Sequence, residues 1–297
     1  MTRVVVGLDF GGTKIAAAIA DVEGRRLAQT AVPTDPGRGA DWNLRRGIDA
    51  ARELLEGRTP AAVGACTFGI PAHHGVGLAP AIDGWEGLAL GRELARAFDC
   101  KAVRLATDVK AAAAAEARAG SLVGHDPAIY VNLGTGLAVA IVAGGRVLQG
   151  ANGAAGEIGY NLTRAGDGVL EQLASGIGLA AEVERRTGLA LSAADVFDRA
   201  PADPRLARLL DELVAELAYH VVNLAIAVDP ARIAVGGGLV RSWERFGPAL
   251  RAALDECVPF PPELVVAAFP YDAPLVGALS LAIEAIGHVG PERRNGK

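Results

Sequence analysis

The sequence predicts an α/β protein built as two related lobes, and three observations carry that expectation. First, a β-branched run at 4–9 stops at Gly11-Gly12-Thr13 and resumes at 15–20, and the pattern returns at 128–133, Gly134-Thr135-Gly136 and 137–142. Second, short apolar runs alternate with segments of helical period along most of the chain. Third, 51% of the 297 residues are hydrophobic, enough for a sizeable core, while a single core stops growing near ~250–300 residues. The internal echo of strand, glycine turn and strand points to two duplicated lobes rather than one doubly wound sheet.

Taken in order, residues 40–55 carry Leu44, Ile48, Ala51 and Leu55 at helical spacing, and 62–70 reads as a buried strand ended by Pro71. A short amphipathic helix at 88–98 precedes a strand at 102–106. Residues 107–119 are strongly helix-forming and are closed by Gly120. After the second hairpin the chain is mostly helical, over 169–187, 193–199 and 204–228, until Asp229-Pro230. A strand at 233–235 then runs into Gly236-Gly237-Gly238 and another helix. Residues 275–286 form a last helix before a polar tail, expected to be a mobile terminus.

The net charge of −5 gives no basic field, which excludes nucleic acid and anionic membranes as expected partners. Cys66, Cys100 and Cys257 are odd in number and far apart, so they build neither a disulfide framework nor a CxxC zinc site. No segment approaches the ~20 apolar residues that span a bilayer, and no signal peptide is legible. The expected location is the cytoplasm.

Asp9-Phe10-Gly11-Gly12-Thr13-Lys14 fills the turn of the first hairpin. Glycines permit positive φ and close backbone approach, so their N–H groups can aim at phosphate oxygens while Thr13 adds a hydroxyl donor. Asp9 can hold a water of Mg2+, and Lys14 can offset phosphate charge. An ordinary tight hairpin turn accounts for the same residues. The segment is not a Walker A motif, because GxxxxGK[ST] is absent. Thr135 and Gly136 repeat the arrangement, and Gly236 and Gly237 supply a third glycine turn after a strand. Three such turns together point to nucleotide binding more strongly than any one. Asp108 follows a strand and opens a helix, which puts its carboxylate at the sheet edge where ligands of α/β folds collect. A helix N-cap is the alternative, for Asp108 or for Thr107.

In order, DFGGTK at 9–14, FGIPA at 68–72, GWEG at 84–87, TDVKAAAAAE at 107–116 and NLGTG at 132–136 resemble the ROK family of repressors, open reading frames and sugar kinases. GAAGEIGY at 153–160, GVLEQLASG at 168–176 and IAVGGGLV at 233–240 extend the resemblance over nearly the whole chain. It implies the two-lobed actin-like ATPase fold, with ribonuclease-H-like lobes at 1–107 and 108–274, helix 275–297 packing back on the first, and the active site in the cleft. It further implies ATP and Mg2+ as cofactors, with phosphate and nucleotide contacts at Gly11, Gly12, Thr13, Thr135, Gly136, Gly236 and Gly237, which Asp9 and Lys14 join on the chemistry given above. Asp108 resembles the family's general base, which takes the proton of the attacking sugar hydroxyl. Lys110 either helps keep that base ionised or is a solvated helix residue. Glu157 and Glu171 resemble the glutamates that accept hydrogen bonds from sugar hydroxyls. Glu116 also matches a family position, although a surface charge would look the same.

Departures from the family pattern are as informative. The family reads ExGH and then CxCGxxGC, whose His and three Cys hold zinc. Here Tyr160 replaces that His and 161–168 contains no Cys, so no structural zinc is expected. Tyr160 either reaches the sugar with its hydroxyl or packs where the zinc subdomain is lost. At positions that face the sugar in the family, Thr107 replaces the Asn before the catalytic Asp and Ala81 replaces a second Asn, while Asp83 adds an acid, so Thr107 and Asp83 are expected sugar contacts beside Asp108. Fewer amides and more carboxylates suit a cationic amino sugar. His73-His74 lines the sugar entrance or forms a solvent loop.

The expected activity is ATP-dependent phosphorylation of the 6-hydroxyl of a hexose or aminohexose, such as glucose or kanosamine (3-amino-3-deoxyglucose). A catalytically silent sugar-binding or sensor protein of the same fold is the alternative. A sugar-sensing repressor is not expected, since DFGGTK begins at Asp9 with no winged-helix segment ahead of it, and no extended basic groove suggests polyphosphate. The resemblance allows a homodimer.

Overall fold

The computed structural model describes residues 3–72 and 74–288; His73 and the tail beyond His288, with the expectations attached to them, lie outside the described residues. The chain divides into two compact units, Met1–Ala115 with Asp272–Lys297, and Glu116–Tyr271.

The first unit opens with β1 (Val4–Phe10), β2 (Lys14–Asp21) and β3 (Arg26–Pro33), followed by α1 (Gly39–Leu55), β4 (Ala62–Thr67), β5 (Ile70–Ala72) and β6 (Gly75–Gly77). It continues through α2 (Leu90–Ala97) and β7 (Val103–Thr107) into α3 (Asp108–Ala119). One five-stranded sheet has the order β3-β2-β1-β4-β7, with β1, β4 and β7 parallel. β1 is buried at every residue, as expected for a central strand covered on both faces. The helix Ala273–His288 closes one face. It packs on β1 and β4 so tightly that a Cβ at Gly64 would collide with the carbonyl oxygen of Ala278. Pro71 does not simply end a strand: β4 stops at Thr67, and Pro71 sits in a separate two-stranded hairpin of β5 and β6.

The second unit repeats the plan with β8 (Ala128–Leu133), β9 (Leu137–Ala143) and β10 (Arg146–Val147). Then come α4 (Glu171–Ala174), α5 (Gly176–Thr187), α6 (Ala193–Arg199), α7 (Pro204–Val228), β11 (Arg232–Gly236), α8 (Trp243–Cys257) and β12 (Glu263–Val266). Its sheet order, β10-β9-β8-β11-β12, is that of the first sheet, again with three parallel strands. Its core runs from Ile129 and Val131 through Leu179, Leu213 and Val221 to Phe246 and Leu250. The expected single helix over 169–187 is two, because Ser175 adopts an extended conformation and caps α5 by accepting the N–H of Gly178 at 3.0 Å.

Candidate functional site

In the first unit, the parallel register sets Asp9 beside Cys66 and Thr67 beside Thr107, so Asp9 and Asp108 both stand at the C-terminal edge of the sheet. Asp9 is 8% exposed and accepts the Cys66 thiol at 3.4 Å. Burial, and next the nearby negative charge of Asp108, push the Asp9 carboxyl up to about 7. Burial and the two carboxylates likewise raise the Cys66 thiol. Thr107 is buried and its Oγ1 accepts the N–H of Lys110 at 3.2 Å, which makes Thr107 the cap of α3. Asp108 therefore occupies the first helical turn, where the helix dipole favours an ionised carboxylate; its Oδ1 accepts Val109 N–H at 2.8 Å.

The turn between β1 and β2 is drawn closed by Gly11 N–H donating to Lys14 O at 3.0 Å and by the Thr34 hydroxyl donating to Gly11 O at 2.7 Å. Gly11 and Gly12 are not at positive φ, contrary to the conformational freedom expected of them. Glycine at 11 is required by proximity, since a Cβ there would lie 2.9 Å from Lys14 O. A Cβ at Gly12 would meet nothing, so this turn presents open backbone to solvent, flanked by exposed Thr13 and Lys14. Asp83 is exposed on a loop held by Trp85, a fully buried ring stacked 5.1 Å from Phe68 whose Nε1 donates to Thr67 Oγ1 at 2.9 Å.

The second unit gathers a separate group. In the β8–β9 turn, Gly134 N–H donates to Gly136 O at 3.1 Å, and the start of α5 docks there through Gly176 N–H donating to Gly134 O at 2.8 Å. Glu171 Oε1 accepts Leu137 N–H at 3.0 Å and lies where a Cβ on Gly136 would come within 2.8 Å. Glu157 is half-buried and precedes a single 3-10 turn, Ile158–Tyr160. A Cβ on Gly159 would lie 3.2 Å from Glu171 Cβ, so the two glutamates' segments run side by side. Tyr160 is 57% exposed, which argues against the packing alternative. At the third turn only Gly237 has positive φ, 91°; its N–H donates to Pro270 O at 3.1 Å. Gly236 is buried, and a side chain there would strike the Tyr130 hydroxyl.

Two expectations need correction. Lys110 is 3% exposed and is not a solvated helix residue. Glu116 is fully buried and is not a surface charge: it accepts N–H bonds from Ser121 at 2.7 Å, Ala268 at 3.1 Å and Phe269 at 2.7 Å. Their helix shows an alanine run on every side, so the sequence does not reveal which polar residues face inward. Ser175, Gly176 and Trp85 were not assigned roles in the site from sequence; the small pair at 175–176 and the buried GWEG tryptophan are the signals that point to them.

The ROK family description matches residues 5–285. The chain belongs to the ROK family. It is 32% identical over 297 residues to the bifunctional enzyme NanE/NanK of Brucella melitensis, covering 94% of this chain and 54% of that one. The chain thus spans about half the length of this curated relative. The ROK hexokinase of Thermus thermophilus superposes with a TM-score of 0.81 at 30% identity, covering 96% of this chain and 100% of the other. A ROK family glucokinase from Streptomyces griseus, in complex with glucose and AMPPNP, gives 0.79 at 30% identity over 95% and 99%. The fold is the actin-like ATPase fold of ROK sugar kinases.

Proposed function

We propose that this protein is an ATP-dependent sugar kinase that phosphorylates the 6-hydroxyl of a hexose or aminohexose in the cytoplasm. The observation that carries the reading is the pairing of Asp9 and Asp108 at one sheet edge, in a chain of this family. A buried carboxylate raised by burial and by the charge of a second one at a ligand-binding edge marks a site suited to a cation. Their hard oxygen donors fit magnesium, and the open backbone at Gly12 fits a phosphate group. Magnesium-bound ATP supplies the phosphoryl group and the counter-charge.

Asp108 is the general base. It accepts the proton of the sugar 6-hydroxyl as that oxygen bonds to the γ-phosphorus and the bond to the ADP oxygen breaks. Asp9 is the carboxylate that would hold magnesium through a water, and Gly11, Gly12, Thr13 and Lys14 attend the phosphates. Thr135 and Gly136 serve the phosphates, and Gly236 and Gly237 serve the nucleoside. Glu157 and Glu171 accept sugar hydroxyls, with Asp83 and Tyr160 as further contacts. Thr107 acts through its cap, which orients the first turn of α3, rather than through an extended polar reach. Glu171 already accepts one backbone N–H, which fixes its carboxylate before any sugar arrives.

ADP release with MgATP and a panel of glucose, mannose, glucosamine, kanosamine and the N-acetylhexosamines tests this reading. Sugar-dependent release supports it, and a preference for an unacetylated amino sugar supports the role of Asp83. Absence of turnover with every sugar contradicts it.

A further inference from the structure

Glu157 and Glu171 are joined by an exposed hairpin whose anchorage is polar. Leu170 N–H donates to Asn161 O at 2.7 Å and Thr163 N–H to Gly168 O at 3.0 Å, with Leu162 and Val169 bridged between. Leu162 at its edge is 68% exposed, whereas Ile158 and Leu170 at its two ends belong to the core. A cavity of about 970 Å3 opens beside the hairpin, lined by Arg164, Asp167, Glu182, Arg185, Glu212 and Glu216 among others. Between those two ends, residues 161–169 carry no buried side chain.

Instead, helix α7 clasps it. Glu216, 5% exposed, accepts Arg164 N–H at 2.6 Å on one oxygen and Arg164 Nε–H at 2.8 Å on the other. Burial alone would raise the Glu216 carboxyl, yet the hydrogen bonds and charge of Arg164 hold it below the usual range. One turn along, Asn161 Nδ2 donates to His220 Nδ1 at 3.2 Å. That leaves the ring proton on Nε2, which lies buried 3.4 Å from Glu216 Oε1. The arginine and asparagine thus fasten both the tip and the base of the hairpin to two buried side chains on one face of one helix.

We propose that Glu216 and His220 are positioning residues for the acceptor sugar: by clasping Arg164 and Asn161 they fix the spacing of Glu157 and Glu171. The inference rests on the sugar-contact reading of those two glutamates. A buried carboxylate on a helix otherwise lined with leucine and valine has a large desolvation cost, and the clasp supplies the bonds that offset it. A misplacement of reacting or binding groups by about 1 Å costs on the order of a hundredfold.

The test is steady-state kinetics of the full chain with Glu216→Gln, Arg164→Ala and, as control, Glu171→Gln. Glu216→Gln should raise the sugar KM about tenfold or more while the ATP KM stays within about twofold. Arg164→Ala should reproduce the effect, and the double variant should be no worse than either single one, since both break one network. Arg164 is half in solvent, so its variant decides the matter if Glu216→Gln does not fold. A purely structural role would lower the active fraction and leave the sugar KM of the remaining enzyme unchanged, which overturns the proposal. A raised KM in Glu171→Gln with no change in the other two also overturns it, while the kinase reading stands. A parent chain that phosphorylates no sugar overturns both.

Discussion

Asp9 is a carboxylate whose chemistry departs far from that of its free form. Its carboxyl normally titrates near 3.8 and in the fold near 7, because burial and the charge of Asp108 both favour the proton. The folded chain therefore holds this proton from about pH 4 to pH 7 while the unfolded chain has lost it. Stability contributed at this position is full below pH 4, falls as the pH rises to 7, and then levels off. Without nucleotide and metal, Asp9→Asn should lose less stability between pH 5 and pH 8 than the parent in urea unfolding; parallel pH curves would contradict the account. Asp9 and Asp108 were legible in the sequence because each sits where an apolar strand stops. The cap at Thr107 was legible only as one of two possibilities, since a threonine and an aspartate in succession offer the same chemistry. Lys110 and Glu116 were not legible, because burial of a charge depends on partners distant in the chain.

Among the elements, the fit between β4 and the C-terminal helix is the tightest. Gly64 faces backbone atoms of Ala278 and Ala282, leaving no room for a methyl group. Gly64→Ala should destabilise the chain by about 3 kcal/mol or more, at or above the upper end for overpacking, measured by denaturant unfolding. An unchanged midpoint would show that the helix sits further from the sheet. Elements with strong periodicity, α1, α7 and the two central hairpins, were readable from sequence. β3 was missed because it is an edge strand with mostly exposed or half-exposed residues and so lacks an apolar signature. β12 has four residues and also sits at an edge. The break at Ser175 was hidden because strong helix formers at 171–174 and 179–186 lie on either side, and only the small residues Ser175, Gly176 and Gly178 between them mark it. The hairpin 161–170 carries polar and small residues, and its attachment to α7 spans 52 positions from Arg164 to Glu216. No local pattern signals that contact.

At the scale of the whole chain, the two sheets share one strand order, the same repetition that the two hairpins show in the sequence. Family membership follows from motifs dispersed over residues 5–285 and not from any one of them. Among the described residues, no helix is long and apolar enough to cross a membrane, and no group of three or more His, Cys, Asp or Glu side chains gathers to hold a metal. The choice of acceptor was not readable, and the proposed contacts Asp83 and Tyr160 are exposed side chains that no local pattern in the sequence singles out. The central claim is that this molecule transfers phosphate to a sugar with Asp108 as base. The measurement that tests it most directly is sugar-dependent ADP release by the parent and by Asp108→Asn, with sugar and nucleotide binding measured on both. The account predicts a fall in turnover of ~10²–10⁴ with binding retained. Near-parental turnover in Asp108→Asn would contradict it.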